Sequence, residues 1–229
     1  MRTSAFLLLT VPAACTIGGM RLSAADNLSD PIIRVSAAAW YQKPAVTIEP
    51  NGGGKISGDS VGLEDSHVGL MADAYLDLPV PLIPGIHAGA WNWKETPNAG
   101  GDVSVTGGYA AAIWELELID RVGVAFGGGA LGEDIDPGNG NRERFIVPAA
   151  AARGWFRFTD GLSVEARLMY GAWTDARAFD GVAQLNWRFL GPVAAIGGWR
   201  QVNSALTLSN RDQWGVALGG PFLGASASF

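Results

Sequence analysis

Alternation with a period of two runs through almost the whole chain, and no other feature limits the possible folds so tightly. In LSVEARLMYGAW, apolar Leu162, Val164, Ala166, Leu168, Tyr170 and Ala172 interleave with Ser163, Glu165, Arg167, Met169, Gly171 and Trp173. In FDGVAQLNWRF, Phe179, Ala183, Leu185, Trp187 and Phe189 oppose Asp180, Gln184, Asn186 and Arg188. HVGLMADAYLDL sets Val68, Leu70, Ala72, Ala74, Leu76 and Leu78 against Met71, Asp73, Tyr75 and Asp77. IIRVSAAAWYQ sets Ile33, Val35, Ala37, Ala39 and Tyr41 against Arg34, Ser36, Trp40 and Gln42. Successive side chains of an extended strand point to opposite faces, so each segment reads as a strand with one apolar face.

Ten such segments follow one another, at 32–46, 66–78, 86–96, 103–118, 121–133, 144–159, 162–174, 178–190, 193–207 and 213–229. Their connections alternate between tight ones (79–85, 119–120, 160–161, 191–192) and mostly longer, polar ones (47–65, 97–102, 135–143, 175–177, 208–212). An even strand number, long strands, short turns at one end and longer loops at the other predict an all-β fold. Its form is a transmembrane antiparallel up-and-down β-barrel of about ten strands, with eight as the alternative. A soluble sandwich or lipocalin-like barrel shares the alternation. Two features favour the membrane. The polar faces hold Arg and Gly but almost no Lys, with only three lysines among 16 basic residues. Aromatic residues gather near strand ends (Tyr41, Trp114, Phe156, Phe158, Trp187, Phe189), as an interfacial girdle requires.

The first 25 residues read as an export leader, leaving residues 26–229 as the barrel. Arg2 supplies the basic start, Ala5 to Ile17 an apolar stretch too short to span a bilayer, and Ser23-Ala24-Ala25 a small-residue cleavage site. Lipoprotein processing at Cys15 is the alternative. Cleavage after Ala25 removes the single cysteine and two of the basic residues but none of the 22 acids. The net charge then moves from −6 to −8, which argues against nucleic acid as a partner.

The last residues, GGPFLGASASF, place Leu223, Ala225, Ala227 and Phe229 on one strand face and Gly224, Ser226 and Ser228 on the other. This ending resembles the assembly signal of Gram-negative outer-membrane proteins, implying the barrel-assembly machinery as a partner during insertion. DLPVPLIPGIHAG, WELELIDRVGVAFG, DGVAQLNWRF and GPFLGASASF together resemble the recurring segments of a family of small Gram-negative outer-membrane β-barrel proteins of uncharacterised function. The resemblance spans the whole chain after the leader. Ala225 and Ala227 depart from it where larger apolar residues are usual, as does Gly85 where Asn is common. It implies a fold and an outer-membrane location, with lipid and lipopolysaccharide as surroundings, but no catalytic residues and no cofactor.

The inward faces collect charge. Arg34, Arg153, Arg157, Arg167, Arg188 and Arg200 are expected to share a narrow lumen with Asp73, Asp77, Glu115, Glu117 and Glu165. Ten strands enclose little beyond what side chains fill. Paired, these groups fill the barrel as a hydrogen-bonded plug, and unpaired they would be very costly. The first reading is therefore a non-enzymatic barrel with an envelope-structural role or surface binding through loops 47–65 and 135–143. The alternatives are a narrow channel for ions or small solutes and, third, a lipid-modifying enzyme or protease. His67 and His87 start their strands at opposite rims, too far apart to share a dyad or a metal. GGGALG at 127–132 fits a dinucleotide fingerprint only formally, because the residues after it cannot open a helix. No metal site is expected, although Asp134, Asp136 and Asn139 offer oxygen ligands on one loop.

Overall fold

Wherever the alternation is sustained, the chain is extended, and the strands close on themselves. The computed structural model describes residues 16–17, 20–22, 33–51, 53–61, 63, 65–77, 83–96, 102–136, 142–207 and 212–229. Apart from Thr16–Ile17 and Met20–Leu22, the expected leader lies outside the described residues, and so does Asn139. Ten long strands follow: β1 (Ile33–Glu49), β2 (His67–Leu76), β3 (Gly85–Glu95), β4 (Val103–Ile119), β5 (Val122–Asp136), β6 (Glu143–Thr159), β7 (Leu162–Trp173), β8 (Ala176–Leu190), β9 (Val193–Thr207) and β10 (Gln213–Ser228). Each pairs antiparallel with its sequence neighbours, and β10 pairs with β1 from Gln213↔Glu49 to Ser228↔Arg34. The result is an all-β, closed, ten-stranded up-and-down barrel. Closure satisfies the backbone of every strand without a free sheet edge, the condition for a β structure in lipid.

Strand boundaries shift by up to three residues from those read in the sequence. β1 runs to Glu49 and β5 to Asp136, into stretches expected as loops, because partners hold them there: Gln213 and Ile56–Ser57 for β1, Ser104 and Glu143 for β5. The β7–β8 connection is reduced to Thr174-Asp175, with Thr174 at φ 44°. Gly191 takes φ 50° in the tight β8–β9 turn, where a side chain would be strained.

The β2–β3 ladder is the shortest in the wall. It covers only Met71↔Trp91 to Leu76↔Ile86. Beyond it side chains take over the backbone's work. The Gln42 amide reaches past Gly69 to donate to the Asn92 carbonyl (2.8 Å), and Asn92 Oδ1 accepts from the Leu70 N–H (3.0 Å). A Cβ on Gly69 would lie 2.4 Å from the Asn92 oxygen, so this crossing needs glycine.

Many inward side chains are buried. Toward the loop rim many inward residues are apolar, among them Val105, Leu131, Val147, Val202 and Leu218, with Gln42, Glu95, Glu133 and Ser204 buried between them. Below them Trp40 and Trp91 meet edge to face with centroids 6.2 Å apart. The Trp91 indole occupies the space over Gly107, where a Cβ would stand 2.1 Å from a ring carbon. The half of the lumen nearer the tight turns is the charged half.

Candidate functional site

The charged half begins with a conflict in register. Arg153 on β6 and Arg167 on β7 lie directly opposite each other. Like charges in that arrangement repel, and the two side chains resolve it by finding different carboxylates. Arg153 donates to Glu115 and to Glu165, each at 2.7 Å, and Arg34 also donates to Glu165 at 3.3 Å. Arg167 donates to Asp73 at 3.0 Å and stands 3.8 Å from Asp180, which receives a two-pronged bond from Arg200 at 2.7 and 3.1 Å. Two quartets result, each with two arginines and two carboxylates, so each is neutral. Asp180 and Arg200 are wholly buried.

Aromatic groups knit the quartets into the wall. Tyr109 donates to Asp73 and accepts from Arg167, whose guanidinium lies 4.4 Å from the Tyr109 ring centre. His87 Nε2 sits 3.0 Å from both the Tyr109 hydroxyl and Arg167 Nη1. Arg153 stacks near Tyr75 and Trp155, and Arg200 near Trp40, at 5.1, 5.2 and 5.4 Å. Gly89 makes room for the meeting of Asp73 and Tyr109, since a Cβ there would touch both within 2.5 Å.

Of the eleven charged residues expected in the lumen, the structure thus joins Arg34, Asp73, Glu115, Arg153, Glu165, Arg167 and Arg200. Arg157, Arg188 and Asp77 stand instead around a cavity at the turn end, and Glu117 makes no ion pair among the described residues. Sequence reasoning left out Asp180, Tyr109, Tyr75 and His87. Asp180 and Tyr75 were visible on the polar faces of their segments. His87 is not at the rim but buried against Arg167, 80 positions away in sequence. His67 does stand near the loop rim, 3.6 Å from Glu95.

Of the oxygen ligands considered for a metal, Asp134 and Asp136 lie at the end of β5 and are already in use. Asp134 pairs with Arg144 at 2.6 Å and Asp136 with Arg142 at 3.1 Å. Among the described residues no group of three His, Cys, Asp or Glu is placed to hold a metal. Outside the strands, Asp102 is held below the usual carboxylate range by its hydrogen bond to Lys94 (2.5 Å), assisted by Thr96 (2.7 Å). This ties the loop after β3 to the start of β4.

The outer wall is the inverse of the inner one. Ile33, Val35, Val68, Leu70, Ile86, Phe126, Leu168, Leu185 and Leu223 are exposed on it. Near the turns it carries Trp114, Phe156, Phe158, Trp187 and Phe189, and nearer the loops Tyr41, Tyr170 and Trp173. An apolar band between aromatic girdles around a closed barrel fits a bilayer and would be insoluble in water. The chain is a bacterial outer-membrane β-barrel.

No family model matches it, and no curated protein does. Among solved structures it is similar to Ail, the attachment invasion locus protein of Yersinia pestis, in complex with the heparin analogue sucrose octasulfate. That match has 12% identity over 86% of this chain and 99% of that one, with a TM-score of 0.37. The translocator domain of the autotransporter NalP from Neisseria meningitidis matches at 13% identity over 86% and 88%, with a TM-score of 0.40. The toluene transporter TodX of P. putida matches at 7% over 88% and 93%, with a TM-score of 0.31. Likeness of this degree transfers no ligand and no activity to the outer-membrane barrel described here.

Proposed function

We propose that this outer-membrane barrel is a non-enzymatic envelope protein whose lumen is plugged by charge, and that it acts through its wall and its surface loops. One observation carries the reading. Eight charged side chains cross the interior as two neutral quartets, with packed tryptophans and aliphatic side chains above them. A continuous aqueous path would have to pass both layers. Buried ion pairs of this kind contribute little net stability compared with apolar packing. What they supply is a tightly specified filling for a barrel too narrow to stay empty and too wide for its backbone alone.

On this reading the segment before Asp26 is an export leader, and the strand ending at Phe229 is the part read by the barrel-assembly machinery. The outer wall is bathed in lipid and lipopolysaccharide. Solute influx into liposomes tests the plug. Vesicles carrying the wild-type protein should swell no faster than empty ones in glycine or glucose, and the Arg153→Ala/Arg167→Ala variant should swell faster. Rapid wild-type swelling would replace the plug with a channel. Lipid A from cells with and without the protein should be identical by mass spectrometry, and a change in acylation would make it an enzyme.

A further inference from the structure

Beneath the lower quartet the barrel opens, at its turn end, into a cavity of about 450 Å³. Short turns face the periplasm in outer-membrane barrels, so this vestibule opens to the periplasm. Its roof is the Arg34–Glu165–Arg153–Glu115 chain, and its walls carry Arg157 from β6, Arg188 from β8, Trp155, Ser226 and Ser228. The four guanidiniums are not alike. Those of Arg34 and Arg153 are engaged by Glu115 and Glu165. Among the described residues, the side chains of Arg157 and Arg188 make neither a hydrogen bond nor an ion pair, and both are exposed at the mouth. The carboxylates of the same cavity are mostly spoken for. Glu115 and Glu165 serve the roof and Asp77 has a partner of its own, which leaves Asp160 in the turn.

We propose that this vestibule is a periplasm-facing binding site for a small oligoanion bearing carboxylate or phosphate groups. Guanidinium presents a planar fork of donors that matches either group with two parallel hydrogen bonds. Here two such forks, unused by the protein, flank a cavity also lined by Ser226 and Ser228. The space corresponds to roughly fifteen water molecules, room for a compact molecule and not for a polymer. The lining is formally balanced, with Arg34, Arg153, Arg157 and Arg188 against Asp77, Glu115, Asp160 and Glu165, so the attraction for an anion comes from the two guanidiniums that the protein leaves unused. The inference stands apart from the plugged-lumen reading, because the cavity exists whether or not ions leak past its roof.

Calorimetric titration of the refolded full-length protein in detergent micelles tests it, with citrate, inorganic pyrophosphate and uncharged lactose as probes. At least one anion should bind while lactose does not, and the Trp155 fluorescence beside Arg153 should change with it. Citrate alone would make the natural ligand a carboxylate, and pyrophosphate alone a phosphate. Arg157→Gln and Arg188→Gln should each weaken binding about tenfold, the loss expected for one charge-assisted contact. Both should keep the heat-modifiable gel mobility of a folded barrel, since neither side chain holds another part of the protein. Arg144→Gln at the opposite rim should change nothing. The proposal is overturned if neither anion binds at millimolar concentration, or if binding survives in both vestibule variants.

Discussion

At the scale of single residues, the interior is organised by which charge can reach which. Arg200 and Asp180 have no exposed surface, and they meet through two hydrogen bonds. Removing Arg200 leaves buried Asp180 with only Arg167, 3.8 Å away and without a hydrogen bond. Arg200→Met should therefore destabilise the barrel by about 3–5 kcal/mol, whereas Arg200→Met combined with Asp180→Leu should cost much less. Urea unfolding in lipid vesicles, followed by tryptophan fluorescence, measures both. Equal losses for the single and double variants would show that the pair is not coupled. The outer face obeys a different rule. Ala166 lies between Glu165 and Arg167 in sequence but points to lipid, so Ala166→Arg should cost about 2–4 kcal/mol near the bilayer midplane. A neutral effect would contradict the assignment of faces on β7.

At the scale of strands, the seam between β10 and β1 decides closure. Its ladder is regular from Phe222↔Trp40 to Ser228↔Arg34, then skips Gly220 and Pro221. Pro221 has no N–H to give, and the Trp40 indole N–H bonds the Gly220 carbonyl instead (3.1 Å). A Cβ on Gly220 would stand 1.8 Å from the Tyr41 backbone oxygen, with no flexible group to move aside. Gly220→Ala should thus reduce the folded fraction on heat-modifiability gels, while Gly54→Ala, where nothing lies within 4 Å, should not. At the other end of the seam, Phe229 donates to the Ile33 carbonyl (2.8 Å) and accepts from the Ile33 N–H (3.0 Å). Deleting Phe229 removes both bonds and one exposed aromatic ring, and should lower the yield of folded barrel in outer-membrane fractions. Wild-type yield after that deletion would remove Phe229 from any role in assembly.

The strands also show where a sequence is legible. β1, β2, β7 and β8 gather their polar and charged residues mostly inside, though Trp40, Met71, Met169 and Val182 are buried with them, so alternation gave their faces. β4 and β5 were not, because Val103, Val105, Ile113, Leu131 and Ile135 point inward while Trp114, Val124 and Phe126 point outward. With apolar groups on both faces, alternation carries no direction. The strand ends of β1 and β5 escaped for a related reason, since ladder partners both near and far in the chain, among them Gln213 and Ser104, hold polar stretches extended. The quartets needed distances across the barrel. Nothing along the chain relates Asp73 to Arg167, yet closure brings them to 3.0 Å.

At the scale of the whole molecule, the barrel is divided along its axis. A largely apolar upper part that also buries Gln42, Glu95 and Glu133, a charged middle and an open vestibule at the turn end follow one another, inside a wall that is apolar toward lipid throughout its central band. In the proposed function the middle and upper layers close the cross-section, and that reading rests on their staying shut in a membrane under voltage. Planar-bilayer recording of the purified protein examines that most directly. Wild-type insertions should give no steady ohmic current, with at most brief and rare openings, and Arg153→Ala/Arg167→Ala should conduct measurably more. Large, steady currents from the wild-type protein would contradict the plugged lumen.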